Sequence, residues 1–201
     1  MKDIIKNIFI DWLNGPANIY RMADNNVYKN IIIKDLWHFS LNPYLKTEAD
    51  IQMKFGGYLE QRVLNLEKNL TVHAELNVYR KNKRWWADLS VHDVSSGELW
   101  TGNNPNPITE TVKGVIEIKY ANYKYPDFHF DRGFIQGDLD KLASLSENID
   151  KFMLIIDEGN RINNKHIEEL LEICDQNKIT VLSNNPNIMR YLIESSPSIE
   201  S

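Results

Sequence analysis

The sequence predicts an α/β domain, a mixed β-sheet flanked by helices, and three patterns carry that prediction. Residues 72–78 alternate apolar and polar side chains with the period of two that marks a half-buried strand. The run "KFMLIID" (151–157) is apolar and bounded by polar residues, as expected of a strand buried on both faces. Ile51, Phe55, Leu59, Leu66 and Leu70 recur close to helical spacing, as do Ile167, Leu170, Leu171 and Cys174.

Taken in order, the chain begins with an expected helix near 2–13, a break at "NGP" and more helix near 16–37, giving a helical N-terminal segment over 1–46 that packs on the core. A long amphipathic helix follows at about 47–69, with Thr47 as its N-cap. "TVHAELNVYR" and "KRWWADLSVHDV", joined at "KNK", read as a β-hairpin. "SSGELWTGNNPNPITET" is too rich in Gly, Asn and Pro to continue a strand and reads as a long surface loop. Beyond it come a strand at 113–120, a helix in "FIQGDLDKLASLSE", the buried strand, a helix in "NKHIEELLEICDQN" and a short strand in "ITVLS". The main domain is expected over 47–190, with 191–201 a disordered tail.

With 201 residues, 42% of them hydrophobic and 25% charged, the chain is long enough for one sizeable domain with a real core. Its single cysteine, Cys174, excludes an intramolecular disulfide and a Cys-rich zinc site, and fits a reducing cytoplasm. The opening residues are too charged for a signal peptide and no stretch approaches 18 apolar residues, so a soluble cytoplasmic protein with no membrane partner is expected. The net charge of −5 argues against coating nucleic acid by bulk electrostatics. That deficit is local, however: residues 1–143 hold 18 basic and 18 acidic side chains, residues 144–201 hold 5 and 10. The neutral part, with clusters such as "YRKNKRWW", remains able to bind a polyanion. The five histidines show no paired ligand spacing, and neither a Gly-rich phosphate loop nor a G-x-S-x-G elbow is present.

The chemistry concentrates in "GVIEIKY" (114–120). On a strand, Glu117 and Lys119 share one face, about 7 Å apart. They are either a solvated surface pair or half of a reaction site. The preceding strand carries Asp88 on the face of Trp86 and Ser90, so two adjacent strands would bring Asp88 and Glu117 to one edge. Converging carboxylates repel unless a proton or cation sits between them, and Mg²⁺ suits one or two carboxylates plus a substrate phosphate. The Ile118 backbone carbonyl would complete the protein's ligands, while Lys119 would position or deprotonate a water and offset charge building on phosphorus.

In this order of elements, with Asp88 on one strand and Glu117-Ile118-Lys119 on the next, the chain resembles the PD-(D/E)XK nuclease superfamily. "GDLDKL" agrees with the D-x-x-K-L pattern many members carry on the following helix, through Asp138, Lys141 and Leu142. Ala87 departs from the pattern, standing where the superfamily's name has Pro. The resemblance covers roughly 47–157 and implies a restriction-endonuclease-like αβββαβ core. It implies an Mg²⁺-dependent endonuclease, with Mn²⁺ as a substitute, hydrolysing phosphodiester bonds of nucleic acid, DNA first among them. A homodimer would suit the cutting of two strands. The resemblance also implies help from the first helix, where "TEADIQ" offers Glu48 as a further metal ligand and Gln52 beside it as a substrate contact.

Bland readings stand beside these. Glu48 also suits the dipole of a first helical turn, and Glu75 reads as structural. One of Trp85 and Trp86 is core; Trp86, on Asp88's face, is the candidate for stacking on a base. Gln136, Asp138 and Lys141 read as contacts to phosphate or a second metal or, for the last two at i, i+3, as a helix-surface pair. The rival to the nuclease is a non-catalytic nucleic-acid-binding or protein-interaction module on the same sheet.

Overall fold

The computed structural model describes residues 1–15, 17, 47–66, 69–80, 83–95, 111–121, 133–157 and 162–194. Its elements are α1 (Lys2–Asn14), α2 (Glu48–Leu66), β1 (Leu70–Arg80), β2 (Lys83–Asp93), β3 (Val112–Ala121), α3 (Phe134–Ala143), β4 (Asp150–Asp157), α4 (Asn164–Gln176), β5 (Ile179–Ser183) and α5 (Pro186–Glu194). The helix expected over 16–37, most of the Gly/Asn/Pro-rich loop and the end of the tail lie outside the described residues.

The five strands form one mixed sheet in the order β1-β2-β3-β4-β5. The first three pair antiparallel, whereas β3, β4 and β5 run parallel. Parallel strands need helical crossovers, which α3 and α4 supply, and this is why β3 and β4 are buried on both faces. Ile116, Ile118, Leu154 and Leu182 point into a core beneath α1 and α2; Val115, Met153, Ile155 and Val181 point into a second core beneath α3 and α4. The α/β class expected from the sequence is the observed one, and among the described residues no helix is long and apolar enough to cross a membrane.

Helix α1 docks by an aromatic cluster: the Phe9 ring meets Phe55 edge-on at 5.6 Å, and Trp12 lies 5.2 Å from Phe55. Thr47 caps α2 as its sequence predicts, with Oγ1 accepting from Asp50 N at 3.1 Å and donating to the Asp50 carboxylate at 2.8 Å. The same helix lies tight on the sheet. A Cβ at Gly56 would stand 2.8 Å from Leu89 Cδ2, so any larger residue here must displace α2 or the Leu89 side chain. Gln52 and Glu48 occur one and two turns before Gly56, on the same stripe, and the close packing therefore delivers them to the sheet.

One expectation is corrected. No helix was expected after "ITVLS" and disorder was placed from 191, yet α5 runs to Glu194. The signal is present in "SNNPNIM". Asn185 Oδ1 accepts from Asn187 N at 3.0 Å as an N-cap, Pro186 occupies the first helical position where its missing N–H costs nothing, and Ile188 and Met189 are buried.

Candidate active site

The site arises where β2 and β3 part. Their ladder runs through Val91↔Gly114 and Ser90↔Val115 to Leu89↔Ile116, which is its last pair. Extending the register sets Asp88 opposite Glu117. The Asp88 carboxylate then does what a ladder carbonyl would have done, since Oδ2 accepts from Ile118 N at 2.6 Å. On its other side β3 stays paired with β4 as far as Ala121↔Asp157, so the strand is held rigid while its free edge receives the acid. Asp88 on β2 and the Glu117 and Lys119 of β3, picked out from two strands, are thus neighbours.

Glu117 is the unusual member. It shares the Val115 face toward α3, is only 2% exposed, and its Oε1 is closed to water with no hydrogen-bond partner. Burial first, then the charges of Asp88 and Asp138, push its pKa up to about 9. Burial also raises Asp88, with the Ile118 N–H pulling the other way.

Lys119 Nζ lies 2.6 Å from Asp138 Oδ2, 3.2 Å from the Ile118 carbonyl oxygen and 3.8 Å from Glu48 Oε1. The Ile118 carbonyl, expected as a cation ligand, accepts from the Lys119 ammonium and keeps a second lone pair. Burial opposes the Lys119 charge, but Asp138, Glu48 and Asp88 together raise its pKa, which favours a positive charge that positions a water over a base.

Glu48 comes from α2 and accepts from Tyr120 N at 3.4 Å. The reciprocal cap with Thr47 belongs to Asp50, and Glu48 faces the site. Asp138 and Lys141 do pair, at 2.5 Å, yet Asp138 is not a surface acid. It is buried and bridges Lys141 to Lys119. Gln136 goes elsewhere: exposed on α3, it donates to Asp140 Oδ1 at 2.9 Å. Trp86 is 59% exposed, and the extended register puts it level with Lys119 across the opening between β2 and β3.

Gln52, expected as a substrate contact, lies beside Asp88, and its Nε2 donates both to the Asp88 carbonyl at 2.7 Å and to Glu75 Oε1 at 3.0 Å, a tie with no sequence signal. Farther along the same face, His92 is buried, with Nε2 2.9 Å from Ser90 Oγ and Nδ1 3.0 Å from Thr111 Oγ1; burial pushes its pKa down to about 4, so it is neutral. His73 meets its ring edge-on at 5.3 Å.

Among the described residues no group of three or more His, Cys, Asp or Glu side chains converges as a ready cation cage. Mg²⁺ does not require one, because it retains waters and takes the rest of its shell from substrate phosphate. What fits a divalent cation here is the pairing of Asp88 with a buried Glu117 whose Oε1 lacks any partner. No family model, no curated protein and no solved structure matches the chain.

Proposed function

We propose that the chain is a divalent-metal-dependent nuclease of the PD-(D/E)XK type, hydrolysing phosphodiester bonds of nucleic acid, with DNA as the expected substrate. The observation that carries this reading is the join at the end of the β2–β3 ladder, where the Asp88 carboxylate sits on the Ile118 amide between Glu117 and Lys119. Asp88 and Glu117 would hold the cation, with Glu48 at the rim. When bound there, a divalent ion would polarise the phosphodiester and lower the pKa of a water.

The chain's own residues do the remainder. Lys119, kept charged by Asp138, offsets negative charge developing on phosphorus. Glu117 would hold the cation as a carboxylate, its proton being released to solvent on binding. Lys141, partly exposed beside Asp138, offers a second positive charge toward a phosphate. Trp86 offers an open aromatic face at the same level.

The test is incubation of the purified chain with plasmid, single-stranded DNA and RNA in Mg²⁺, Mn²⁺ or EDTA. Cleavage is expected with either metal, lost in EDTA, lost in Asp88→Ala and Glu117→Ala, and cut about 10²- to 10³-fold in Lys119→Ala. Undiminished cleavage in EDTA, or full activity in Lys119→Ala, would remove the mechanism. One observation favours the non-catalytic alternative: the Lys119 ammonium is already engaged by Asp138 and the Ile118 carbonyl. That reading expects nucleic-acid binding with no cleavage under any metal.

A further inference from the structure

We propose that Gln52 and Glu75 are positioning residues that hold Asp88 in place for a cation, an inference that rests on the nuclease reading. It starts from a backbone irregularity. Glu75, in the middle of β1, has φ 52, a left-handed conformation that side-chain-bearing residues seldom adopt. Pairing between β1 and β2 holds on either side, at Ala74↔Leu89 and Leu76↔Ala87, and lapses at Glu75, which the register sets opposite Asp88. The irregular residue of β1 and the acid of β2 are therefore cross-strand neighbours.

The conformation redirects a side chain. Strand alternation would send Glu75 the way of His73, whose ring meets His92, away from the α2 face to which Val72 belongs. Instead the Glu75 carboxylate reaches Gln52 on α2. A primary amide has two N–H donors, and Gln52 points one at Glu75 Oε1 and the other at the Asp88 carbonyl. Asp88 is then fixed twice: its backbone by Gln52, its carboxylate by Ile118 N. Neither Gln52 nor Glu75 touches the reacting atoms in this arrangement. Strained backbone held in place by its surroundings is a recurrent feature of functional sites, and here the strain has an identifiable product, the orientation of one metal-ligating acid.

The test uses the full chain and measures Mn²⁺ binding by calorimetry, separately from cleavage. Glu75→Gly suits the left-handed backbone and should fold at least as well as the wild type while losing the tie. Both it and Gln52→Ala are expected to weaken Mn²⁺ binding about tenfold. Glu75→Gln keeps an acceptor for Gln52 and should restore near wild-type affinity. The double variant Gln52→Ala/Glu75→Gly should be no worse than the poorer single variant, because one tie is lost only once. Wild-type affinity in folded Glu75→Gly, equal damage in Glu75→Gln, or losses that multiply in the double variant would each overturn the proposal. A wild type that binds Mn²⁺ and cleaves no nucleic acid sinks the nuclease reading while the affinities still decide the positioning role. A wild type that binds no Mn²⁺ sinks both.

Discussion

Lys119 Nζ stands 2.6 Å from Asp138 Oδ2, an ion pair between β3 and α3 in which both side chains are largely withdrawn from water. Burial of Lys119 works against its charge and Asp138 overcomes that opposition. Neutralising the aspartate leaves burial with less to oppose it, and the lysine's pKa falls. Asp138→Asn is therefore expected to move the alkaline limb of a kcat/KM profile to lower pH, and the acid limb to lower pH as well, because the Asp138 charge also holds the Glu117 and Asp88 carboxyls up. Lys119→Ala removes the charge outright and should cost about 10²- to 10³-fold in kcat, the usual loss for one preorganised electrostatic group. An Asp138→Asn profile that superimposes on the wild type would show that Lys119 does not depend on its partner.

Glu117 gives the apo protein an unusual pH dependence. The unfolded chain surrenders that proton near the model-peptide value of 4.5, whereas the folded chain keeps it until about 9. Across this window the folded state binds more protons, so stability is greatest at the acid end and declines as pH rises toward 9. Urea midpoints at about pH 5.5, 7 and 8.5 should fall in that order, and the Glu117→Gln variant, whose amide does not titrate, should flatten the trend. Added Mn²⁺ should restore stability most at the alkaline end, where the ligand is already deprotonated. Parallel profiles for wild type and Glu117→Gln would remove the assignment.

Adjacent glycines on α2 should respond oppositely to the same change. A Cβ on Gly56 collides with the buried Leu89 side chain at 2.8 Å, while one on Gly57 meets nothing within 4 Å. Gly57→Ala gains helix propensity, about 0.8–1 kcal/mol. Gly56→Ala has the same gain but must displace α2 or Leu89 in a filled core, which costs roughly 1–3 kcal/mol. A lower urea midpoint for Gly56→Ala and a higher one for Gly57→Ala are expected. Gly56→Ala should also weaken cleavage, because Gln52 and Glu48 ride on the same stripe of the helix.

How much of this was legible in the sequence depends on the range of the forces involved. Strand alternation at 72–78, the continuous apolar run at 151–157 and the Thr47 cap are local signals, and the elements they announce are present. The proximity of Asp88 to Glu117 and Lys119 was legible only because each lies on a strand of known period and the two strands are sequential neighbours. Sequence gives no such access to Asp138. Its pairing with Lys141 is an i, i+3 relation, whereas its burial and its contact with Lys119 depend on how α3 crosses back over the sheet. Glu75 was illegible for a different reason. A glutamate carries no mark of a positive φ, and its strain becomes visible only against the lapse in β1–β2 pairing. Helix α5 has a readable Asn-Pro start, but its 9 residues make only about two and a half turns, too few for a clear helical period.

That same Asn-rich corner carries the last prediction. Asp157, fully buried at the end of β4, is enclosed by two asparagines from the β5–α5 junction. Asn184 acts as a substitute strand partner, with Oδ1 accepting from Asp157 N at 2.7 Å and Nδ2 donating to Asp157 O at 2.9 Å. Asn185 Nδ2 donates to Asp157 Oδ2 at 2.7 Å while its Oδ1 caps α5. Asn184→Ala removes both of these hydrogen bonds from buried backbone groups, at about 0.5–1.5 kcal/mol for each. Asn184→Asp keeps the acceptor, loses the donor and sets a second carboxylate beside Asp157, so it should be the more damaging of the two despite its smaller change in shape. The urea midpoint should fall in the order wild type, Asn184→Ala, Asn184→Asp, with the denaturant slope unchanged if only the native state is affected. An Asn184→Asp variant as stable as the wild type would show that water reaches this corner and that the asparagines are not its closure.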